Sequence, residues 1–285
     1  MKIKGTLKEI IYFSIFRASI FIAILVLLLV LALLFWSGYS VIDWHFLTSS
    51  WQHRDITQGG IFPAIVGSLY LGIGVMFISF PLGVGTAIFI TEYSKNGFWR
   101  KIILLSIRNL AGVPSVVYGL FGLSVFVNFF FFGTSLLSAI LTLSVMTLPW
   151  IITASVESLK AVPQKFREAS LALGATHFQT IRKIVFPAAF PGSVTGGIIG
   201  ISRALGETAP IIVVGATFYL SSLPTSVMDK FMALPYHTFI LATQHSSPYA
   251  SSYAAGTALV LILLTSFLSL GAIIMRYYFR SKKDW

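Results

Sequence analysis

The chain has 285 residues, of which 56% are hydrophobic and 10% charged, whereas a soluble domain carries about 25% charged residues. With a mean hydropathy of +0.87, that balance suits lipid and excludes a soluble globular enzyme, a disordered chain and a coiled coil. The formal charge is +11 and cysteine is absent, which excludes disulfides, thiolate metal sites and a cysteine nucleophile.

The first apolar run, residues 18–36, is uncharged and follows Lys2, Lys4, Lys8 and Arg17. As a helix it is about 28 Å long, enough for one membrane crossing. It ends in Phe35 and Trp36 with no small-residue cleavage site, so it reads as an uncleaved span and not a signal peptide. Residues 38–61 form a polar loop. The second span, 62–90, is glycine-rich and interrupted by Pro81. A charged loop over 91–110, partly helical, holds Glu92, Lys95, Arg100, Lys101 and Arg108. The third span, 111–132, has Pro114 and Ser115 near its start, where proline suits a helix N-terminus. A turn at 133–135 leads to the fourth span, 136–156. A charged segment, 157–190, precedes the fifth span, 191–216, which carries Arg203 and Glu207. A polar loop, 217–253, leads to the sixth span, 254–277, and a basic tail.

Six spans place both termini on one side. The N-terminus, the 91–110 loop, the 157–190 segment and the tail then share that side and hold seventeen of the twenty Lys and Arg residues. The opposite loops hold only Arg54 and Lys230. This asymmetry makes both termini cytoplasmic and accounts for the net charge with lipid as the partner and no nucleic acid. The five histidines fall in loops without metal-ligand spacing and read as solvated. Phe129 to Phe132 read as an interfacial anchor, and Glu92 as the partner of Lys95.

The 157–190 segment is more than a connector. Pro163 suits a helix start, and Phe166, Ala169, Ser170 and Leu173 recur on one small face with Lys165, Arg167 and Glu168 off it. Gly174 is placed to end that helix. Thr176 and Gln179 fit a capping box for a second helix, which Pro187 is expected to stop. Two readings stand: a helix pair on lipid headgroups, or an element that docks into a partner.

In the fifth span, Gly192, Gly196, Gly200, Arg203 and Glu207 fall in one helical stripe, with Pro210 near it as a bend. A charge in mid-membrane costs about 2.5–3.5 kcal/mol, and small residues at four-residue spacing admit a second helix. The stripe therefore faces protein, not lipid. Arg203 and Glu207 fit either a packing ion pair or a point on an anion pathway, because a guanidinium stays charged and makes paired bonds to oxyanions.

The string Glu168-Ala169-Ser170, Gly174, Ile184, Phe186-Pro187 closely resembles the EAA motif of ATP-binding-cassette importer permeases, E-A-A-x3-G-x9-I-x-L-P. Ser170 and Phe186 depart from it. Residues 203–210, Arg-Ala-Leu-Gly-Glu-Thr-Ala-Pro, resemble the R-A-x-G-E-T-A-P string of the PstA family of phosphate-uptake permeases. The sister PstC family commonly reads Met-Ala where this chain has Ala209-Pro210. Residues 109–122, Pro81 to Gly83, Thr91 to Tyr93 and Ala233 to Pro235 also resemble that pair of families, so the likeness runs from about residue 62 to the C-terminus.

The resemblance implies an all-α membrane protein with six transmembrane helices, of the type I importer permease kind. Residues 1–61 would be the N-terminal tail, first span and outer loop, and 62–285 the five-helix permease core with its cytoplasmic coupling helix. Lys165, Glu168, Ala169, Ser170 and Gly174 would couple to the ATPase, and Arg203, Glu207 and Thr208 would line the substrate path. The implied partners are a homologous PstC-like permease, a PstB-like ATPase dimer, a PstS-like phosphate-binding protein and phosphate itself. The chain has no G-x-x-x-x-G-K-[ST] loop. ATP and Mg are therefore expected on the partner ATPase, with no cofactor, metal or catalytic residue in this chain.

The alternatives within this architecture are the PstC-type sister subunit or a permease for another oxyanion. An intramembrane enzyme needs a nucleophile with a base, or paired carboxylates, at membrane depth, and the spans offer only Glu207. A secondary transporter often shows repeated halves, which this sequence lacks.

Overall fold

The computed structural model describes residues 7–52, 55–94, 97–220 and 222–281. Lys2, Lys4, His53, Arg54, Lys95 and the end of the basic tail lie outside the described residues. Helix α1 (Leu7–Gly38) is followed by the short α2 (Trp44–Thr48), which Asp43 caps by accepting from the Phe46 amide at 2.6 Å. Helix α3 (Phe62–Ile88) continues through a π-helical turn, Phe89–Tyr93. Then come α4 (Phe98–Ala111), α5 (Ser115–Gly122) with a π-helical extension (Leu123–Phe129), and α6 (Leu136–Lys160). The charged segment between residues 157 and 190 holds α7 (Gln164–Ala172) and α8 (His177–Thr180). It is followed by α9 (Phe186–Leu205), α10 (Ala209–Val214), α11 (Leu234–Thr243) and α12 (Ala250–Ser281).

Among the described residues, five helices are long and apolar enough to cross a membrane: α1, α3, α6, α9 with its N-terminal extension, and α12. The expected straight third span is absent. In its place α4 and extended α5 meet at 101°, and together they supply a sixth crossing only if the bent pair counts as one. The bend lies at Gly112, Val113 and Pro114. Proline drives the residue before it out of the α region, Pro114 itself is extended at ψ 141°, and the Tyr118 hydroxyl donates to the Leu110 carbonyl at 2.7 Å across the corner. An apolar run records hydrophobicity but not direction, so the bend was invisible in it. The 91–110 loop is correspondingly helical from Phe98 onward.

The centre is built by α3, α6 and α9. Leu71 and Val75 of α3, Ala139, Ile140 and Leu143 of α6, Ala204 of α9 and Tyr118 of α5 form one buried cluster. A second, toward the end where Lys160 lies, joins Ala87 and Ile90 to Ile152, Val156, Leu159 and Val185. Several buried hydroxyls on these helices serve their own backbone: Ser79, Thr142 and Thr147 donate to the carbonyls of Val75, Ser138 and Leu143 at 2.6–2.9 Å. That removes the cost of an unpaired polar group in a dry interior. The membrane-crossing part of α1, by contrast, buries none of its length within this chain. Its C-terminal Gly38 lies against the backbone of Ala255 and Gly256 on α12.

The segment 217–253 is not a polar loop throughout. It carries α11, whose Leu234, Pro235, His237, Ile240 and Leu241 are buried, in a cluster with Phe46, Trp51, Ile61, Phe218 and Ala254. His237 is thus not solvated as expected but fully buried. Its ring stacks on Phe218 at 4.8 Å and meets Trp51 edge-on at 4.5 Å. Burial, with His245 nearby, pushes its pKa down to about 3. His45 and His177 are exposed and His245 is half-buried.

Candidate functional site

Helix α9 packs on α6 along its small residues. A side chain on Gly192 would press on Ser158, one on Gly196 on Ala154, and one on Gly200 would reach 3.4 Å from Ile151. The stripe therefore faces protein, and the missing side chains let the two backbones approach closely.

Arg203 ends the stripe in the last turn of α9. Its guanidinium carbon sits 4.9 Å from the centroid of the Trp150 ring on α6, a cation–π distance. Its Nη2 lies 3.7 Å from Glu207 Oε1, beyond hydrogen-bond reach. The Arg203 side chain is 51% exposed and that of Glu207 17%. A half-exposed guanidinium beside an indole keeps N–H groups free to take two oxygens of a planar or tetrahedral oxyanion.

The fifth span is not one helix to residue 216. It stops at Leu205, and Gly206, Glu207 and Thr208 form a break before α10, whose first turn holds Pro210. Glycine is a poor helix former, and Pro210 cannot donate to the turn before it. Glu207 and Thr208 therefore lie beside Arg203 on irregular backbone and not one turn along a helix. Thr208 is half-buried, and its carbonyl accepts from the Ile212 amide. Irregular backbone at membrane depth is tolerated where it is buried in protein or lines a watery cavity.

The coupling segment forms the two predicted helices. Gly174 takes φ +82°, with open space where a side chain would begin. Thr176 and Gln179 form the capping box, with the Thr176 amide donating to Gln179 Oε1 at 2.9 Å. Pro187 does not stop the second helix. A π-helical turn, Ile181–Val185, joins α8 to α9 without interruption, and such a widened turn accommodates the proline that follows.

Lys165, Glu168 and Ala169 are exposed, as are Phe166, Leu171, Phe178 and above all Leu173, at 89%. Ser170 faces inward instead, its hydroxyl 2.9 Å from that of Thr180. The serine that departs from the EAA pattern thus ties α7 to α8. Arg167, off the small face in the sequence with Lys165 and Glu168, parts from them. Arg167 turns inward and binds Glu92 with two bonds, Nη2 to Oε1 at 2.8 Å and Nε to Oε2 at 3.3 Å, and donates to the carbonyls of Val162 and Leu159. The Glu92 side chain is 5% exposed, and its partner among the described residues is Arg167, 75 residues along the chain; Lys95, expected beside it, lies outside the described residues. Beside the pair lies a cavity of about 490 Å³ lined by Thr91, Lys160, Gln164 and His177 among others.

Sequence reasoning missed Trp150 and the inward role of Arg167. Trp150 stood in the fourth span as one aromatic among many. Only the register of α6 against α9 singles it out.

Residues 79–284 match the family described as binding-protein-dependent transport system inner membrane component. The chain belongs to that family. It is 32% identical over 283 residues to the phosphate transport system permease protein PstA 1 of Mycobacterium tuberculosis, covering 95% of this chain and 91% of that one. It is 30% identical to the probable ABC transporter permease protein YqgI of Bacillus subtilis, with 83% and 84% covered. With YqgH of the same organism it shares 42% identity over 66% of this chain and 63% of that one, less than two thirds of YqgH. Among solved structures, a bacterial alginate ABC transporter chain superposes with TM-score 0.64 at 16% identity, covering 93% of this chain and 92% of that chain. A chain of the MetNI methionine ABC transporter gives TM-score 0.62 at 17% identity, covering 76% and 96%. The fold is that of a type I ABC importer permease, and the chain is a membrane permease subunit of such an importer.

Proposed function

We propose that this permease carries phosphate, as the PstA-type subunit of an ATP-driven importer, and forms half of the translocation path. The observation that carries the reading is the half-exposed Arg203 guanidinium, over Trp150 and only loosely paired with Glu207, in the last turn of α9 beside the break of the fifth span. Such a group attracts an oxyanion, and the nearby carboxylate keeps the hold weak enough for release. The similarity to PstA 1 of M. tuberculosis, a phosphate transport system permease, supports phosphate as that anion. Thr208, next to Glu207, completes the lining.

The second half of the path comes from a homologous, PstC-like permease. A PstB-like ATPase dimer binds ATP and Mg, so this chain is non-catalytic and needs no cofactor of its own. A PstS-like protein delivers phosphate from outside. Lys165, Glu168, Ala169 and the exposed Leu173 meet the ATPase, with Ser170 and Gly174 setting the angle of the element. Both termini are cytoplasmic, as the distribution of lysine and arginine requires.

The test is ATP-driven uptake of labelled phosphate into vesicles holding the whole complex, with the binding protein added on the far side and Arg203→Gln run in parallel. Uptake that needs ATP and is lost in Arg203→Gln with the complex still assembled is the expected result. Uptake of sulfate but not phosphate moves the reading to another oxyanion. Undiminished uptake by Arg203→Gln makes that residue a packing element.

A further inference from the structure

Helix α4 is an exposed amphipathic helix that neither the proposed transport path nor the proposed coupling element uses. Its sequence, FWRKIILLSIRNLA, holds three cations and no acid. One side is fixed: Ile103, Leu104 and Ile107 pack into the cluster of Ile152, Val156 and Leu159 on α6. The other side is bare. Phe98, Ile102 and Leu105 recur on it at helical spacing, with Phe98 72% and Leu105 58% exposed, and Trp99 beside them is 75% exposed. Lys101 and Arg108, seven residues apart and so on one line, edge this face, and both are exposed.

Depth and tilt follow from α6. Extended α5 packs along the first half of that helix, with Gly122 against Thr142. Helix α4 crosses α6 over its last third, where Ile152 is about 12 Å from the Lys160 end. The 101° bend turns α4 nearly across the direction of α5. A basic helix with aromatic and aliphatic residues on one face, lying across the bundle near its positive end, matches the geometry of an interfacial helix.

We infer that α4 lies in the cytoplasmic headgroup layer of the membrane, with Phe98, Ile102 and Leu105 in the acyl boundary and Lys101 and Arg108 on anionic phospholipid headgroups. The partner is lipid because cations flanking apolar and tryptophan side chains complement an anionic interface. The attachment has a mechanical consequence. The C-terminus of α4 leads directly into the Gly112–Pro114 corner and then α5, whose Gly119 touches Pro210 in the first turn of α10, two residues beyond Thr208. Anionic lipid therefore steadies the corner that buttresses the break next to Arg203. This inference does not rest on phosphate as the substrate.

The chain has no cysteine, so Leu105→Cys gives it one label site, and the complex without that substitution, labelled in parallel, supplies the background from the partner chains. The full complex, with this label on α4, goes into nanodiscs of phosphatidylcholine with or without phosphatidylglycerol. Quenching by nitroxides near the headgroup should exceed quenching by mid-chain nitroxides, and aqueous iodide should quench weakly. Strong iodide quenching with no lipid quenching would place the face on a watery cavity. Shielding from all quenchers would place it under a partner chain. Deep quenching would place it in the bilayer core, and any of the three overturns the inference. In the second arm, phosphatidylglycerol should raise ATP-driven turnover. Lys101→Gln with Arg108→Gln should remove that gain, each lost cation weakening anionic-lipid association about fivefold. An unchanged response to phosphatidylglycerol in the double variant overturns the headgroup contact, whatever anion the complex carries.

Discussion

Arg203 gains its place from Trp150 as much as from Glu207. A cation–π contact at a partly exposed site contributes about 0.5–1 kcal/mol, while a 3.7 Å ion pair with one half-exposed member contributes little. Trp150→Ala should therefore lower uptake about two- to fivefold, and Trp150→Phe should restore most of it. Concentration-dependent uptake by the reconstituted complex reads both. Arg203→Lys should fail to rescue transport, since a point charge lacks the paired in-plane donors. The Arg167–Glu92 pair works in the opposite way. It is buried, doubly bonded and joins the end of α3 to the coupling element. Arg167→Ala leaves a buried carboxylate without its cation and should cost about 3 kcal/mol. The check is thermal unfolding of the purified complex together with retention of the ATPase. Glu92 and Arg167 are 75 residues apart, so no local pattern pairs them, whereas the Lys95 partner suggested by the sequence needed only three residues.

At the scale of elements, Gly174 and α11 make separate predictions. Gly174 has positive φ and open space around its missing side chain, so substitution there is penalised by backbone conformation alone. Gly174→Val should cost about 1–2 kcal/mol locally and loosen ATPase attachment, while Gly174→Asn should be milder. Co-purification of the ATPase with each variant tests the order. In α11, His237 is buried with its pKa depressed to about 3, against an ordinary value near 6.5. Between those values the unfolded segment binds a proton that the folded one refuses. Its contribution is fully present above about pH 6.5 and declines as pH falls toward 3. Amide exchange across α11 should accelerate on acidification, and His237→Phe should flatten that dependence. The histidine reads as solvated in the sequence because α11 is short and its flanks are polar; its burial comes from Trp51 and Phe218, far away in the chain.

For the whole molecule, the division of labour gives the remaining prediction. The purified chain alone should not hydrolyse ATP, and turnover should appear only with the ATPase partner; a colorimetric phosphate-release assay distinguishes the two. Most of the architecture was legible because membrane spans are selected on length and hydrophobicity, which a window of sequence reports directly. The helix pair around Gly174 was legible because caps and a left-handed glycine are local chemistry. So was the small-residue stripe of α9, since helical spacing alone aligns Gly192, Gly196 and Gly200. Apolar composition and helical period are properties of a stretch of chain, and these the sequence determined by itself: the class of fold, the number of apolar segments, the charge asymmetry, the helix pair around Gly174 and the presence of a cation in the fifth span. The tertiary structure decided the rest. It set the bend at Pro114, the break at Gly206, the inward turn of Arg167 and Ser170, the burial of His237 and the seating of Arg203 on Trp150. Each of these depends on which side chains from distant elements arrive at the same place, and packing in three dimensions, not local preference, settles that.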